Sequence, residues 1–473
     1  MYGDRGLSDT GLTTASTAAA TSPDSGTPAG TARIGFLRFA PRITQANAWT
    51  FLYLNLMIMP IVSFLSFSQP YVLKEIIGIP EDEQGRITGF LVTMQEIVAL
   101  CLVGFAGGLS DRFGRRPIYA LGVLIAGLGF ALYGTANSAT DLYLYRFVYA
   151  VGVALAGVMI AVTAADYPAE ACRGKLAGVT GLLNGLGVLL GTVIFATLPS
   201  FFQAQGVSNA MAGRYMLWAM AGLAISTAVV MQLGLAGGTP TGRIRKTTLA
   251  QTLRTGIREG AANPRLLVCY AGAFVSRADL TLIAVFVSLW LQQVGRNEGL
   301  DGPAALKQAT FMFVLIQLSS LLWAPVAGFL LDRFHRLICV VGALLIAGIG
   351  YTLLGLQVQP FSPIGYAGAV LVGMGQMSCI LSTSALLGQE SPIDVRGSVI
   401  GLASLCGAVG ILATSFFGGY LFDHVAISAP IVLTGFANLI VFGGALAVWL
   451  RTGRPLHYDP DEAGAGQPLV VGH

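Results

Sequence analysis

Four charged residues in otherwise apolar stretches carry the chemistry open to this sequence: Glu96 in TMQEIVAL (93–100), Arg277 and Asp279 in VSRADLTL (275–282), and Arg146. Ionisable groups inside bilayer-length apolar runs are costly and usually mark a pathway for a proton, an ion or a substrate. Glu96 is the first candidate to carry a proton; the alternative is a packed carboxyl that never ionises. Arg277 can bind a carboxylate or phosphate on a substrate, or neutralise Glu96 across a cavity. Asp279 is only two residues from Arg277, about 200° around a regular helix, so the two face different neighbours. Arg146, five residues after Asp141, lies near a span end and either snorkels to the surface or takes part in coupling. Glu96 precedes Gly107 by 11 residues, about 16 Å and three turns, which puts both on one face. A shift of 221 residues sets Gln317 at the depth of Glu96, an amide in the place of the acid. Asn55, Gln95, Asn184, Gln376 and Asn438 are further polar groups in apolar runs, any of which can line a cavity.

Such groups need long helices to hold them. Twelve apolar runs qualify: 49–71, 87–109, 118–136, 142–164, 176–198, 215–236, 266–291, 310–331, 337–356, 364–387, 397–421 and 427–450. Each is long enough for about 30 Å of hydrocarbon. The expected fold is all-α and membrane-integral, with a six-helix bundle over 47–236, a linker over 237–265 and a second six-helix bundle over 266–450. Residues 1–46 are rich in Ser, Thr, Pro and Gly and are expected to be unfolded, with no apolar run of the signal-peptide kind. Residues 451–473 read as a short polar tail. In the linker, IRKTTLAQTLRTGIREG (244–260) reads either as an amphipathic helix on the membrane surface or as a tether. The chain is 54% hydrophobic and 11% charged; a soluble domain carries about 25% charged residues, so a water-facing globular surface is excluded.

With both ends in the cytoplasm, inner segments hold twenty Lys and Arg residues and outer loops five, the positive-inside pattern. The linker's basic character needs no nucleic acid to explain it. The six cysteines form no disulfide framework, and the four histidines fall outside the spans, so no metal or haem is expected. No G-x-x-x-x-G-K-[ST] is present. An enzyme is not expected, nor a cofactor; the energy source is a gradient. Trp49, Trp218, Trp290 and Trp449 read as interface anchors, and Trp323 as a packing residue.

Shifted by 221 residues, GGLSDRFGRR (107–116) falls on GFLLDRFHRL (328–337), so two similar halves are expected. These stretches resemble the signature G-x-L-a-D-r-x-G-r-R of the major facilitator superfamily of transporters. YPAEACRG (167–174) and QESPIDVRG (389–397) are similar to that family's charged loops after spans four and ten. The second signature departs from the pattern, with His335 at the second glycine and Leu337 at the final basic place. The resemblance covers about 48–450. It implies two bundles rocking about a central cavity, and a cytoplasmic latch that opens and closes. Gly107 would let a neighbouring helix approach. Asp111 would accept hydrogen bonds at the start of span eleven near Gly397. Arg112, Arg115 and Arg116 would reach Asp166, Glu170 or lipid phosphate, with Arg173, Asp332, Arg333, Arg336, Glu390 and Arg396 as the other charged members of the gate. The implied activity is proton-coupled transport of a small organic solute by a monomer in a plasma or bacterial inner membrane. The implied partners are substrate, protons and the lipid bilayer. A gradient-driven uniporter, or a non-transporting membrane assembly or receptor protein, remains open. The fifth span, GVTGLLNGLGVLLGTVI (178–194), lacks the proline of drug-efflux members.

Overall fold

Thr44 starts the first span: its side chain accepts from the Asn47 N–H while Asn47 reaches back, closing a capping box at the head of α1 (Gln45–Tyr71). In the computed structural model, which describes residues 32–169, 172–237 and 249–452, this helix continues through a π-helical turn, Val72–Ile77. The first bundle is completed by α2 (Gln84–Phe113), α3 (Arg115–Tyr133), α4 (Ala139–Asp166), α5 (Arg173–Gln203) and α6 (Asn209–Gly234). A short helix, α7 (Leu249–Ala262), leads into the second. There α8 (Pro264–Leu282), a π turn (Ile283–Val287) and α9 (Ser288–Asn297) make one composite span. It is followed by α10 (Gly302–Arg333), α11 (Arg336–Gly355), α12 (Pro363–Glu390), α13 (Arg396–His424) and α14 (Ala429–Arg451). Twelve of these segments are long and apolar enough to cross a membrane; the chain is a multi-pass integral membrane protein. The ninth and tenth spans, nearly fused in sequence, are parted by Ser362, which caps α12 ahead of Pro363.

The repeat of the signature runs through the helices. α3 and α11 start 221 residues apart, at Arg115 and Arg336, and α5 and α13 end 221 apart, at Gln203 and His424. Ser288 Oγ donates to the Phe67 carbonyl at 2.7 Å; the two positions, again 221 apart, are one place in the repeat meeting itself across the halves.

Residues 32–44 differ from the unfolded tail expected for 1–46. Arg33–Ile34 and Leu37–Arg38 pair as an antiparallel hairpin, and Phe39 bridges to Pro168 beyond α4. Leu37, Phe39 and Ile43 supply the reason: all three are buried, with Phe39 edge-on to Phe51 at 6.5 Å. Residues 1–31, 170–171, 238–248 and 453–473 lie outside the described residues; the rest of the expected tails, much of the linker and Glu170 fall there. Trp290 also departs from its reading as an interface anchor. It is buried in the composite span, 2% exposed, whereas Trp323 packs between helices as expected, its Nε1 donating to Ser378 Oγ at 2.8 Å.

Candidate functional site

In the second bundle, α8, α12 and α13 enclose a cavity of about 370 Å³ lined by Arg277 and Arg396. Glu96 comes from α2 on the first bundle and is half-buried; the Arg277 guanidinium is the cation that acts on its carboxyl. The sequence candidates Glu96 and Arg277 thus come from opposite halves and lie near enough for the cation to act on the acid. Gln317, at the equivalent depth of α10, is half-buried. Neither Glu96, Gln317 nor the other polar candidates line the cavity. Asn55 Nδ2 is spent on the Phe51 carbonyl of its own helix at 2.8 Å. Gln376 is buried. Gln95 Oε1 and Asn184 Oδ1 are sealed without a hydrogen-bond partner among the described residues.

Asp279 turns away from Arg277, as their two-residue spacing requires. It is fully buried, and Asn438 Nδ2 on α14 donates to its two oxygens at 3.1 and 3.4 Å. Tyr351 and Cys379 are close enough to feel its charge. Arg146 does not snorkel. It is 1% exposed, its Nη2 donates to Ser66 Oγ at 2.8 Å, and its guanidinium lies 5.4 Å from the Tyr149 ring centroid. Asp141 is no partner to it; its carboxylate caps α4, accepting from the N–H groups of Asn137 and Ser138 at 2.9 and 3.0 Å.

The charged loops lie at the arginine-rich end. Arg115 pairs with Asp166, as their types suggested, and Arg116 reaches toward the Leu235 carbonyl at 3.5 Å. Beside them, burial pushes the Tyr167 hydroxyl above its usual range, so it stays protonated while accepting from the Ala236 N–H at 3.0 Å. In the second half Glu390 is held by Arg265 at 3.3 Å and Asn263 at 2.9 Å. Arg336, the counterpart of Arg115, donates to the Ala385 carbonyl at 3.2 Å. Asp332, Arg333 and Arg112 are exposed; Arg173 starts α5. The backbone of Asp111 lies in α2 and its side chain outside what is described. Among the described residues nothing stands within 4 Å of where a side chain would begin at Gly107 or Gly397. The two helices expected to latch are therefore apart at this end.

They are closed at the other. Gly85 and Arg86, at the start of α2, donate their N–H groups to the Asp423 carboxylate at the end of α13, at 2.8 and 2.6 Å. A Cβ at Gly89 would stand 2.3 Å from the Ser415 carbonyl, and one at Gly419 would stand 2.6 Å from the Gly85 carbonyl, so small residues are required here. Arg296 binds Glu81 at 3.1 Å, and Gln203 reaches Asp301. Sequence reasoning missed this closure, although Gly85–Gly89 and Ser415–Gly419 each show the small-xxx-small spacing of close-packed membrane helices.

Comparison with known proteins decides the family. The sequence model of the Major Facilitator Superfamily matches residues 50–295 and 269–472. The chain belongs to this superfamily. Within it, the chain is 29% identical over 422 residues to the magnetosome protein MamZ of Magnetospirillum gryphiswaldense, a match over 87% of this chain and 63% of MamZ. It spans less than two thirds of the length of that relative. It is 25% identical to the magnetosome protein MamH of Paramagnetospirillum magneticum, over 87% of this chain and 94% of MamH. The fold matches the inward-open structure of the xylose transporter XylE from E. coli at a TM-score of 0.63 with 16% identity, covering 88% and 98% of the two chains. Over the matched residues the chain has the twelve-span architecture seen in that structure.

Proposed function

We propose that the chain is a proton-coupled transporter that works by alternating access, with Glu96 as the proton carrier and Arg277 as its partner. The carrying observation is that this acid and this base come from opposite halves and lie near enough for the charge of one to act on the other. While the two stay close, the cation offsets part of the cost that burial imposes on a charged Glu96. A substrate that engages Arg277, or a rocking motion that separates the pair, leaves the carboxyl to take up a proton. The arginine-rich end and both termini face the cytoplasm by the positive-inside rule, so the form described is inward-open. One chain suffices for the cycle, since it supplies both halves that rock.

Uphill accumulation in proteoliposomes with an imposed pH gradient tests this. Glu96→Gln should abolish accumulation of the transported solute and keep its downhill exchange, because the amide preserves size and polarity. Full accumulation by the variant would remove Glu96 from the coupling step. The likeness to MamZ and MamH over 87% of the chain favours a second reading of place: the same cycle working in a magnetosome membrane. Immunodetection in separated membrane fractions distinguishes it from the cell membrane.

A further inference from the structure

We propose that the cavity between α8, α12 and α13 binds the oxyanion head of a small soluble organic acid, with Arg277 as its ligand. This deepens the transport reading above and rests on it for the role of Arg277 in transport. The stem of Arg277 is fixed: a Cβ at Gly407 would stand 2.6 Å from its Cγ, so α13 supports the side chain while the guanidinium remains exposed in the cavity. Around it are hydroxyls with unspent capacity. Thr383 lines the cavity; its Oγ1 packs beside Gly272 without a hydrogen-bond partner among the described residues, and a turn about χ1 would bring it to a bound head. Ser276 is 6% exposed, and its one described bond, to the Ala273 carbonyl, is stretched to 3.5 Å. A buried hydroxyl left unsatisfied costs about 1–3 kcal/mol. An acceptor-rich head that met both the guanidinium fork and a hydroxyl would relieve that cost.

A carboxylate or phosphate ester offers such a head; the planar guanidinium matches its oxygens two at a time. A neutral solute would take Arg277 out of water with no charge to meet it. No acid lines the cavity, and Glu96 is the acid that acts from the other half, so an arriving anion competes with Glu96 for one cation. Leu280, Ile380 and Ile400 complete the wall and suit an organic body. The volume of about 370 Å³ is at the small end of ligand sites, roughly 300–1,000 Å³. Arg396 lies 11 residues before Gly407 on α13, about 16 Å nearer the open end. Arg396 Nη2 is engaged with the Gly388 carbonyl at 3.4 Å; Arg396 draws anions in and Arg277 holds them.

The test uses the full chain purified in detergent, with no gradient. Benzoate and phenyl phosphate are the probes, benzamide is the neutral control, and dioctanoyl phosphatidic acid represents a lipid head. Modification of Arg277 by phenylglyoxal is followed by peptide mass spectrometry at constant ionic strength. At ten times its Kd, either soluble anion should slow modification about tenfold, and benzamide should not. Thermal shifts should show the same selectivity, and Arg277→Gln should lose it. Glu96→Gln should bind the anions more tightly, about tenfold for the loss of a competing charge worth roughly 1.4 kcal/mol. That gain cannot come from a variant that merely misfolds. Equal effects of benzamide and benzoate, no protection by either soluble anion, or protection by the lipid alone would each overturn the proposal. Anion binding without proton-driven accumulation would instead overturn the coupling reading and leave this site standing.

Discussion

Asp279 and Glu96 are both carboxylic acids in spans, and their surroundings give them different work. Glu96 lies near enough to a cation for its charge to act. Asp279 is sealed with one amide donor, Asn438, against both its oxygens, and an ionised carboxylate so placed would carry a heavy desolvation cost. We expect Asp279 to be structural. Asp279→Asn should keep proton-driven accumulation and shift thermal stability little. Asn438→Ala should destabilise by about 1–3 kcal/mol, the cost of stranding a buried polar partner, read as a lower melting temperature in detergent. Loss of accumulation in Asp279→Asn would give the coupling role to this acid. The sequence located both acids and predicted that Asp279 and Arg277 diverge, because helical geometry is legible from spacing. It could not show that Asn438, 159 residues away, is what Asp279 turns toward.

At the scale of elements, the two signature copies show why one keeps a glycine and the other does not. Gly114 joins α2 to α3 at φ 91°, a left-handed conformation that favours glycine. At the matching place α10 ends in extended backbone at Phe334, and His335 adopts φ −59°. Its Nδ1 accepts from the Leu337 N–H at 3.2 Å and caps α11, so the departure from the family pattern is a different turn, not a damaged one. Helix existence was legible throughout, since apolar length sets it. Docking was not, as α7 illustrates. Its basic sequence suggested a tether or a membrane-surface helix, yet Leu253 packs with Leu266, Tyr270, Val399 and Leu402. Tyr270 also donates to the Gly256 carbonyl at 3.0 Å. A Cβ at Gly256 would stand 2.8 Å from that of Leu402. Gly256→Leu should therefore lift α7 from α8 and α13. Hydrogen exchange over 249–262 should rise at least several-fold, while exchange within α3 and α4 stays unchanged.

Across the whole molecule, α2 and α13 meet as a pair with a carboxylate at each end. At the closed end, Asp423 on the last turn of α13 holds the first N–H groups of α2. At the open end, Asp111 lies in the last turn of α2, and α13 begins at Arg396. We propose that the chemistry is reciprocal: the sequence puts an acid in the last turn of each helix, where it could meet the N-terminal dipole of the other. Only one contact can be made at a time if the halves rock as rigid bodies, and in the form described it is the Asp423 contact. Asp423→Asn keeps an acceptor oxygen but removes charge at a contact worth about 0.3–2 kcal/mol, so it should shift the balance about 2- to 30-fold away from this form. Asp111→Asn should shift it the other way. The acids are separated by most of the length of α2, about 40 Å at 1.5 Å per residue, and effects so far apart should add. The double variant should therefore return toward the wild-type balance. Spin-label distance distributions across both ends would read all four proteins. Shifts in the same direction for both single variants, or a double variant as displaced as either one, would separate the two contacts and leave the closed end to its glycine packing alone.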